Sequence, residues 1–266
     1  MLKTINIFGQ TISSYALFIC LGFLAAIFIL LFEIKKYKLN LFHWDNFFCL
    51  LPVLIIGGFL GAALFDKIAH FNERKLFEFA GLSFAGGLIT ALFLYLFFYP
   101  IIVSKSKKEM LEDINFLVCP FLIAHFFGRI GCFMAGCCYG KPTDSIIGVT
   151  FPEGSLQNIQ YGYVTKVFPT QLFEAAFLFF LFLIFIFLKK VRNHKIDLYL
   201  ILYGIFRFFI EFIRGDNRGA YFLLLSPSQW MSILFVILGT LLLLWKIKND
   251  GDKIHQIYSE KKTIVE

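Results

Sequence analysis

Arg129 and Arg207 each stand in a stretch that is otherwise apolar, about 113–134 and 196–213. A guanidinium at the centre of a membrane helix costs roughly 2.5–3.5 kcal/mol unless it is paired or reaches the surface. Each is therefore an anchor of the fold or a binding group for an anion. Around Arg207 the spacing adds information. Tyr203, Arg207, Glu211 and Arg214 follow one another at intervals of four, four and three, which puts them on one helical face. Arg207 and Glu211 form an i,i+4 pair, and in the plainest reading it is a structural one. A buried ion pair is no more stabilising than packed apolar side chains, however, which favours a purpose beyond folding. A third group is Pro169-Thr170-Gln171-Leu172-Phe173-Glu174. Thr170 is the expected N-cap of a helix, and Glu174 falls in its first turns, where the helix dipole favours an anion. The three groups lie at matching depth near one membrane face, so they can meet. Two guanidiniums at headgroup level suit the paired hydrogen bonds of a phosphate clamp. A phospholipid is the phosphate ester abundant there. Glu174 and Glu211 are base or orienting groups, with pKa values that rise on partial desolvation.

The densest polar run is His125 to Thr143, which holds Gly128, Gly131, Gly136 and Gly140 together with Cys132, Cys137 and Cys138. Those glycines imply a tightly turned exit from a membrane helix. Three readings of the cysteines stay open: small packing residues, a redox pair of Cys132 with Cys137 or Cys138, and a thiol metal site with His125. Cys-x4-Cys-Cys is not the usual zinc spacing, and neither a metal nor a cofactor is expected. Cys20, Cys49 and Cys119 lie in apolar runs and read as small core residues. Gly57 and Gly61 make a small-xxx-small pair suited to helix packing. Gly81, Gly86 and Gly87 either pack likewise or open space for a lipid substrate.

The elements that must position these groups follow from composition. Hydrophobic residues make up 59% of the chain and charged ones 16%, against about 45–50% and 25% in soluble domains. The uncharged runs Ile12–Phe32, Phe47–Phe65, Phe79–Val103 and Gly219–Trp245 are long enough to cross a bilayer. Three charged apolar stretches, 113–134, 169–188 and 196–213, need a protein-lined interior. The expected fold is all-α, a polytopic membrane protein of seven transmembrane helices. The first apolar run exceeds the core of a signal peptide and lacks a small-residue cleavage site after it, so it reads as a retained helix. With the N-terminus outside, the cytoplasmic segments carry fifteen lysines and arginines and the exterior ones eight; Arg129 and Arg207 complete the 25. The C-terminus is thus expected in the cytoplasm and the polar groups near the exterior leaflet. Residues 1–246 form the membrane domain and 247–266 a cytoplasmic tail. The 141–168 segment reads as a loop or short helix on the exterior face. The net charge of +7 lies in short membrane-hugging loops, which points to anionic lipid and not to nucleic acid.

On these residues the chain resembles the prolipoprotein diacylglyceryl transferase family along nearly its whole length. The family pattern G-R-x-G-N-F-x-N-G-E-x-x-G-x-P-T aligns with Gly128–Thr143, P-S-Q-L-Y-E-A with Pro169–Ala175, and Y-G-x-x-R-F-x-x-E-x-x-R in full with Tyr203–Arg214. A later G-Q-x-x-S element is echoed by Ser228-Gln229-Trp230-Met231-Ser232. The resemblance implies seven helices in the cytoplasmic (inner) membrane with the N-terminus outside. It also implies an enzyme of lipoprotein biosynthesis, which moves the diacylglyceryl group of phosphatidylglycerol onto the lipobox cysteine of a preprolipoprotein signal segment and releases glycerol phosphate. Arg129, Arg207, Tyr203 and Glu211 are then the catalytic candidates. Gln171, Glu174, Arg214, Gly86, Gly87, Cys132 and Cys137 are the substrate-binding ones. A monomer is expected.

The sequence departs from the family pattern at defined points. The histidine of G-G-x-S-F-H-G-G is Ala85, the arginine of an early G-A-R is Ala63, and the signature's asparagines and glutamate are Cys132, Ala135 and Cys137. Two other readings follow: a divergent transferase acting on another acceptor, or a phospholipid-binding protein. A small-solute transporter would call for matched inverted halves, which the sequence lacks.

Overall fold

A computed structural model of the protein describes residues 4–7, 10–37, 44–69, 84–103, 107–216 and 223–265. A short antiparallel hairpin of β1 (Thr4–Ile7) and β2 (Gln10–Ser13) leads into α1 (Ser14–Tyr37). Then come α2 (Trp44–Ala69), α3 (Phe84–Val103) and α4 (Lys107–Ala135). The segment between α4 and α6 (Thr170–Phe187) holds β3 (Val149–Thr150), the short helix α5 (Leu156–Tyr161) and β4 (Lys166–Val167). The chain continues through α7 (Lys195–Ile210) to α8 (Pro227–Val265). The protein is thus an all-α, multi-helix membrane protein with two minor β-ribbons. Gly81 and Arg218 lie outside the described residues, as do the side chains of Cys49 and Ala85.

Among the described residues, four helical stretches are long and apolar enough to cross a membrane: Ser14–Lys36, Asp113–Ala135, Thr170–Phe187 and Pro227–Asn249. Leu50–Phe65 and Gly86–Ile102 are shorter apolar stretches. Half of the α4 and α6 stretches is buried inside the protein, against 11% for those of α1 and α8. The charged helices are therefore the interior ones, because only protein can satisfy their polar groups at membrane depth. The outer helices turn Leu24, Phe28, Leu60 and Phe93 outward, an apolar surface suited to lipid tails and too extensive for a soluble monomer.

The interior cluster is built by α4, α6 and α7 from Cys119, Leu122, Leu178, Phe185, Tyr199 and Tyr203. The helix α1 runs antiparallel along α4: Gly22 meets Phe127, and Gly131 meets Tyr15 and Phe18. Gly57 and Gly61 serve packing. A methyl group added to either would lie 2.0 Å from a side-chain atom of Leu94 or Thr90 on α3. Cys119 is fully buried, as expected of a core residue, whereas Cys20 is exposed on the outer face of α1.

Candidate active site

Glu174 lies at the centre of the site and is fully buried. Thr170 does not cap its helix. Pro169 takes the N-cap position, and the Thr170 hydroxyl donates instead to the Cys138 carbonyl at 2.7 Å. Glu174 Oε1 lies 2.9 Å from Nη2 of Arg129 on α4 and accepts the hydroxyl of Tyr203 on α7 at 2.8 Å. His125 Nε2 is 3.7 Å from the same oxygen and accepts from Arg129 Nε at 3.4 Å. One carboxylate thus ties three helices together. Its second oxygen, Oε2, has no hydrogen-bond partner among the described residues.

On the Arg207 side of α7 the predicted face is realised. Arg207 Nη2 contacts Glu211 Oε2 at 2.8 Å and donates to Ser228 Oγ at 3.1 Å. Ser226 Oγ donates to Glu211 Oε1 at 2.9 Å. Arg207 Nη1 is buried and has no hydrogen-bond partner among the described residues. Arg214 forms a two-bond fork with Asp216, at 3.0 and 2.9 Å, and stands 3.9 Å from Glu211. Burial, opposed by that fork, lifts the Asp216 carboxyl from 3.8 to about 6.

The glycine-rich exit from α4 is a Schellman turn. Gly136 adopts φ +73°, its N–H reaches the Phe133 carbonyl, and the Cys137 N–H reaches that of Cys132. Cys138 then takes a left-handed conformation at φ +63°, which costs a non-glycine residue about 1–3 kcal/mol. What offsets this is stitching on both sides. Gly140 and Phe168 pair at 2.8 Å, Lys141 donates to the Ile213 carbonyl at 2.8 Å, and Gly215 donates to that of Tyr139 at 3.0 Å. Gln171 Nε2 holds the Cys137 carbonyl at 2.6 Å. Gly140 has to be glycine, since a β-carbon would sit 2.7 Å from the Phe168 carbonyl oxygen and 2.9 Å from that of Ile213.

The sulfurs of Cys132, Cys137 and Cys138 all lie within 4.8 Å of one another, and none is disulfide-bonded. Hydrogen bonds with Cys132 and Cys137, aided by the positive charge of Arg214 and Arg129, hold the Cys138 thiol well below its ordinary range. An open pocket of about 330 Å³ adjoins them, lined by Cys137, Cys138, Tyr139, Leu156, Ile159 and Asp216 among others.

With this geometry in view, the comparisons with known proteins become informative. The profile described as "Prolipoprotein diacylglyceryl transferase" matches residues 3–245. The chain belongs to the prolipoprotein diacylglyceryl transferase family. A phosphatidylglycerol–prolipoprotein diacylglyceryl transferase of Clostridium tetani is 35% identical over 246 residues, 88% of this chain and 93% of the relative. The phosphatidylglycerol–prolipoprotein diacylglyceryl transferase 2 of Clostridium perfringens is 34% identical over 252 residues, 90% of this chain and 92% of the relative. The enzyme of that name from Hydrogenovibrio crunogenus is 29% identical over 208 residues, 74% and 75%.

Within this family framework, the structure brings Arg129, Glu174 and Tyr203 into one cluster and Arg207, Glu211 and Arg214 into a second, with Gln171 joined to the cysteine loop. Gly86 and Gly87 stand elsewhere. Side chains added at either would meet Phe65, Gly61, Gly58 and Ala62 of α2. Three contributors go beyond the residues singled out for the site. His125 precedes Arg129 by four residues, a spacing that signals a shared face. Ser226 carries no such local signal and Ser228 only its place in the late family element, since the return of α8 is what brings them to α7.

Proposed function

We infer that this protein transfers a diacylglyceryl group from phosphatidylglycerol to a prolipoprotein, as the names of its relatives state for those proteins. The structural observation that carries the reading to particular residues is Arg207 Nη1, a buried donor with no partner among the described residues, beside a second guanidinium held by a fully buried carboxylate. A buried donor without an acceptor is costly in the resting protein and becomes favourable when an anionic group arrives.

The acceptor is the lipobox cysteine thiol. Its sulfur attacks the glyceryl carbon of the diacylglyceryl group, a C–S bond forms, and the C–O bond to phosphate breaks. The electron pair leaves on glycerol phosphate. Arg129 and Arg207 stabilise the charge gathering on that leaving oxygen, and their forked geometry matches it as an ammonium would not. Tyr203 and Glu174 orient Arg129, while Glu211 and Ser228 orient Arg207. The thiol proton passes to solvent as the sulfur attacks. Gln171 and Arg214 hold the loop and its acidic neighbour in place, and Gly86 and Gly87 let α3 pack closely against α2.

The arrangement in the membrane is seven spans, N-terminus outside and C-terminus cytoplasmic, with the site near the exterior leaflet and the chain acting as a monomer. Residues 1–246 are the catalytic domain and 247–266 a tail. The excess of lysine and arginine in alternate segments supports that orientation. A transferase acting on another acceptor is the second reading, favoured by the three cysteines that stand in place of the family's expected polar pattern.

One assay separates the two. Purified protein in phosphatidylglycerol vesicles is given a lipobox peptide with its cysteine or with serine in that place. Release of glycerol phosphate and a diacylglyceryl mass increase are expected with the cysteine peptide alone. Release without that mass increase points to another acceptor, and no release at all removes the transferase reading.

A further inference from the structure

Cys132, Cys137 and Cys138 have no role in the phosphate clamp, yet among the described residues they form a group of three thiols close enough to share a ligand. Sulfurs bound to one zinc at about 2.3 Å lie roughly 3.8–4.0 Å apart. Here all three pairs fall within 4.8 Å, so small side-chain rotations are enough to enclose a cation. The backbone beneath them is fixed. The Schellman turn folds Cys137 back over Cys132 through the Cys137 N–H and Cys132 carbonyl at 3.1 Å. Thr170 and Gln171 pin the carbonyls of Cys138 and Cys137. Cys138 is held in a backbone conformation that L-residues rarely adopt. Strain of that kind at a residue other than glycine points to function.

Of the three thiols, Cys137 and Cys138 border the open pocket beside Tyr139 and Leu156. Three protein ligands and an accessible fourth position are the pattern of reactive zinc sites, whereas structural sites are closed by four.

We propose that Cys132, Cys137 and Cys138 bind a thiophilic divalent cation of the zinc type, whose fourth position faces the pocket and receives the acceptor cysteine as a thiolate. The proposal rests on the reading of a cysteine acceptor given above and supplies that reading with a source of thiolate. A thiol that coordinates a metal is deprotonated outright. The acceptor's S–H proton passes to solvent as its sulfur replaces metal-bound water. The sulfur then forms the C–S bond while the C–O bond to phosphate breaks onto the leaving glycerol phosphate. No oxidant or reductant enters. The cluster thereby supplies the acceptor thiolate in a chain that carries Ala85 where the family pattern has a histidine.

The test uses the full-length protein in detergent or vesicles, first stripped with a chelator under reducing conditions and then given zinc or cobalt(II). About one equivalent per chain is expected, with cobalt producing sulfur-to-metal charge-transfer absorption. Zinc should protect the three thiols from alkylation, read by mass spectrometry of the unmutated protein, so folding defects do not enter. Serine in place of any one of the three should weaken binding by at least tenfold, whereas Cys20→Ser leaves it unchanged. Adding the lipobox cysteine peptide should strengthen the charge-transfer band, and the serine peptide should not. Three alkylatable thiols unprotected by zinc, a disulfide within the cluster as isolated, or a spectrum indifferent to the cysteine peptide each overturn the proposal. Metal binding with the expected spectrum but no thioether product would instead remove the transferase reading and leave the metal site standing.

Discussion

Two buried ionic clusters occupy opposite ends of the helical bundle, and their cations differ. At one end Lys195, at the start of α7, donates to Glu33 of α1 and reaches Cys119 Sγ of α4 at 3.2 Å, with all three side chains buried. Beside it Asp197 takes Lys246 Nζ at 2.6 Å and His194 Nδ1 at 2.8 Å. At the other end the cations are Arg129, Arg207 and Arg214. An ammonium is a compact charge whose few bonds close on nearby acceptors. A guanidinium is a planar fork of five donors, and a single carboxylate cannot use them all. The lysine end therefore fastens helices together. The arginine end fastens helices and leaves Arg207 Nη1 without a partner among the described residues, the donor we propose for the phosphate.

Variants at the two ends should separate along the same line, ranked by their effect on transfer. Arg207→Lys keeps the charge and loses the fork, and glycerol phosphate release should fall by about 10²–10³-fold, the usual loss when an oriented transition-state donor is removed. Near-normal turnover would sink the clamp and erase the contrast between the ends. Gly140→Ala forces a β-carbon against two carbonyl oxygens, so the loop must shift. Misplacement of a site by about 1 Å can cost up to 10²-fold, and a roughly tenfold loss is expected here, seen as turnover per folded molecule. Thr170→Val removes one hydrogen bond to Cys138, worth about 1 kcal/mol, and should lower thermal stability slightly with a few-fold change in rate at most. Glu33→Gln should leave turnover per folded molecule within about twofold. It should still destabilise the protein by about 3–5 kcal/mol, since it strands a buried lysine charge. A rate loss matching that of Arg207→Lys would show that the two clusters act as one.

Asp216 offers the smallest and most pH-specific effect. Its folded pKa, about 6, stands above the ordinary 3.8, so the fold favours its neutral form. The stability it contributes is complete below about pH 4 and is lost as pH rises through 6. Asp216→Asn should flatten that part of a plot of thermal midpoint against pH and leave the alkaline side unchanged.

The helical face of Tyr203, Arg207, Glu211 and Arg214 was legible in the sequence because it is local: four-residue spacing is geometry that a helix cannot avoid. The shared depth of Arg129, Glu174 and Arg207 could also be read, from the positions of apolar runs. Their contacts could not, since the Arg129–Glu174 pair depends on how α4 and α6 rotate against each other. Thr170 shows a local rule overridden. Its hydroxyl has the chemistry of a cap, but it serves the part-buried Cys138 carbonyl instead, and Pro169 already stands at the cap position. Glu33 and Lys195 read as loop residues because charge suggests exposure. The structure continues α1 past Glu33 and starts α7 at Lys195, so the two charges meet and bury each other. The cysteine cluster was visible as a spacing other than the usual zinc one, which left packing, redox and metal readings open. Only the left-handed turns at Gly136 and Cys138 bring the three sulfurs together.

The stitched loop from Tyr139 to Thr143 has a consequence for every charge beneath it. Hydrogen bonds run from it to 166–168, just ahead of α6, and to 213–215, just past α7, while it continues directly from the end of α4. It therefore acts as a common datum plane. A slip of one residue along any of these helices would move its side chains by about 1.5 Å and turn them by about 100°, carrying Arg129, Glu174 or Tyr203 out of line with its neighbours. Levelling three helices against one strip of backbone lets a site assembled from distant parts of the chain be accurate in a solvent that offers the backbone no hydrogen bonds of its own.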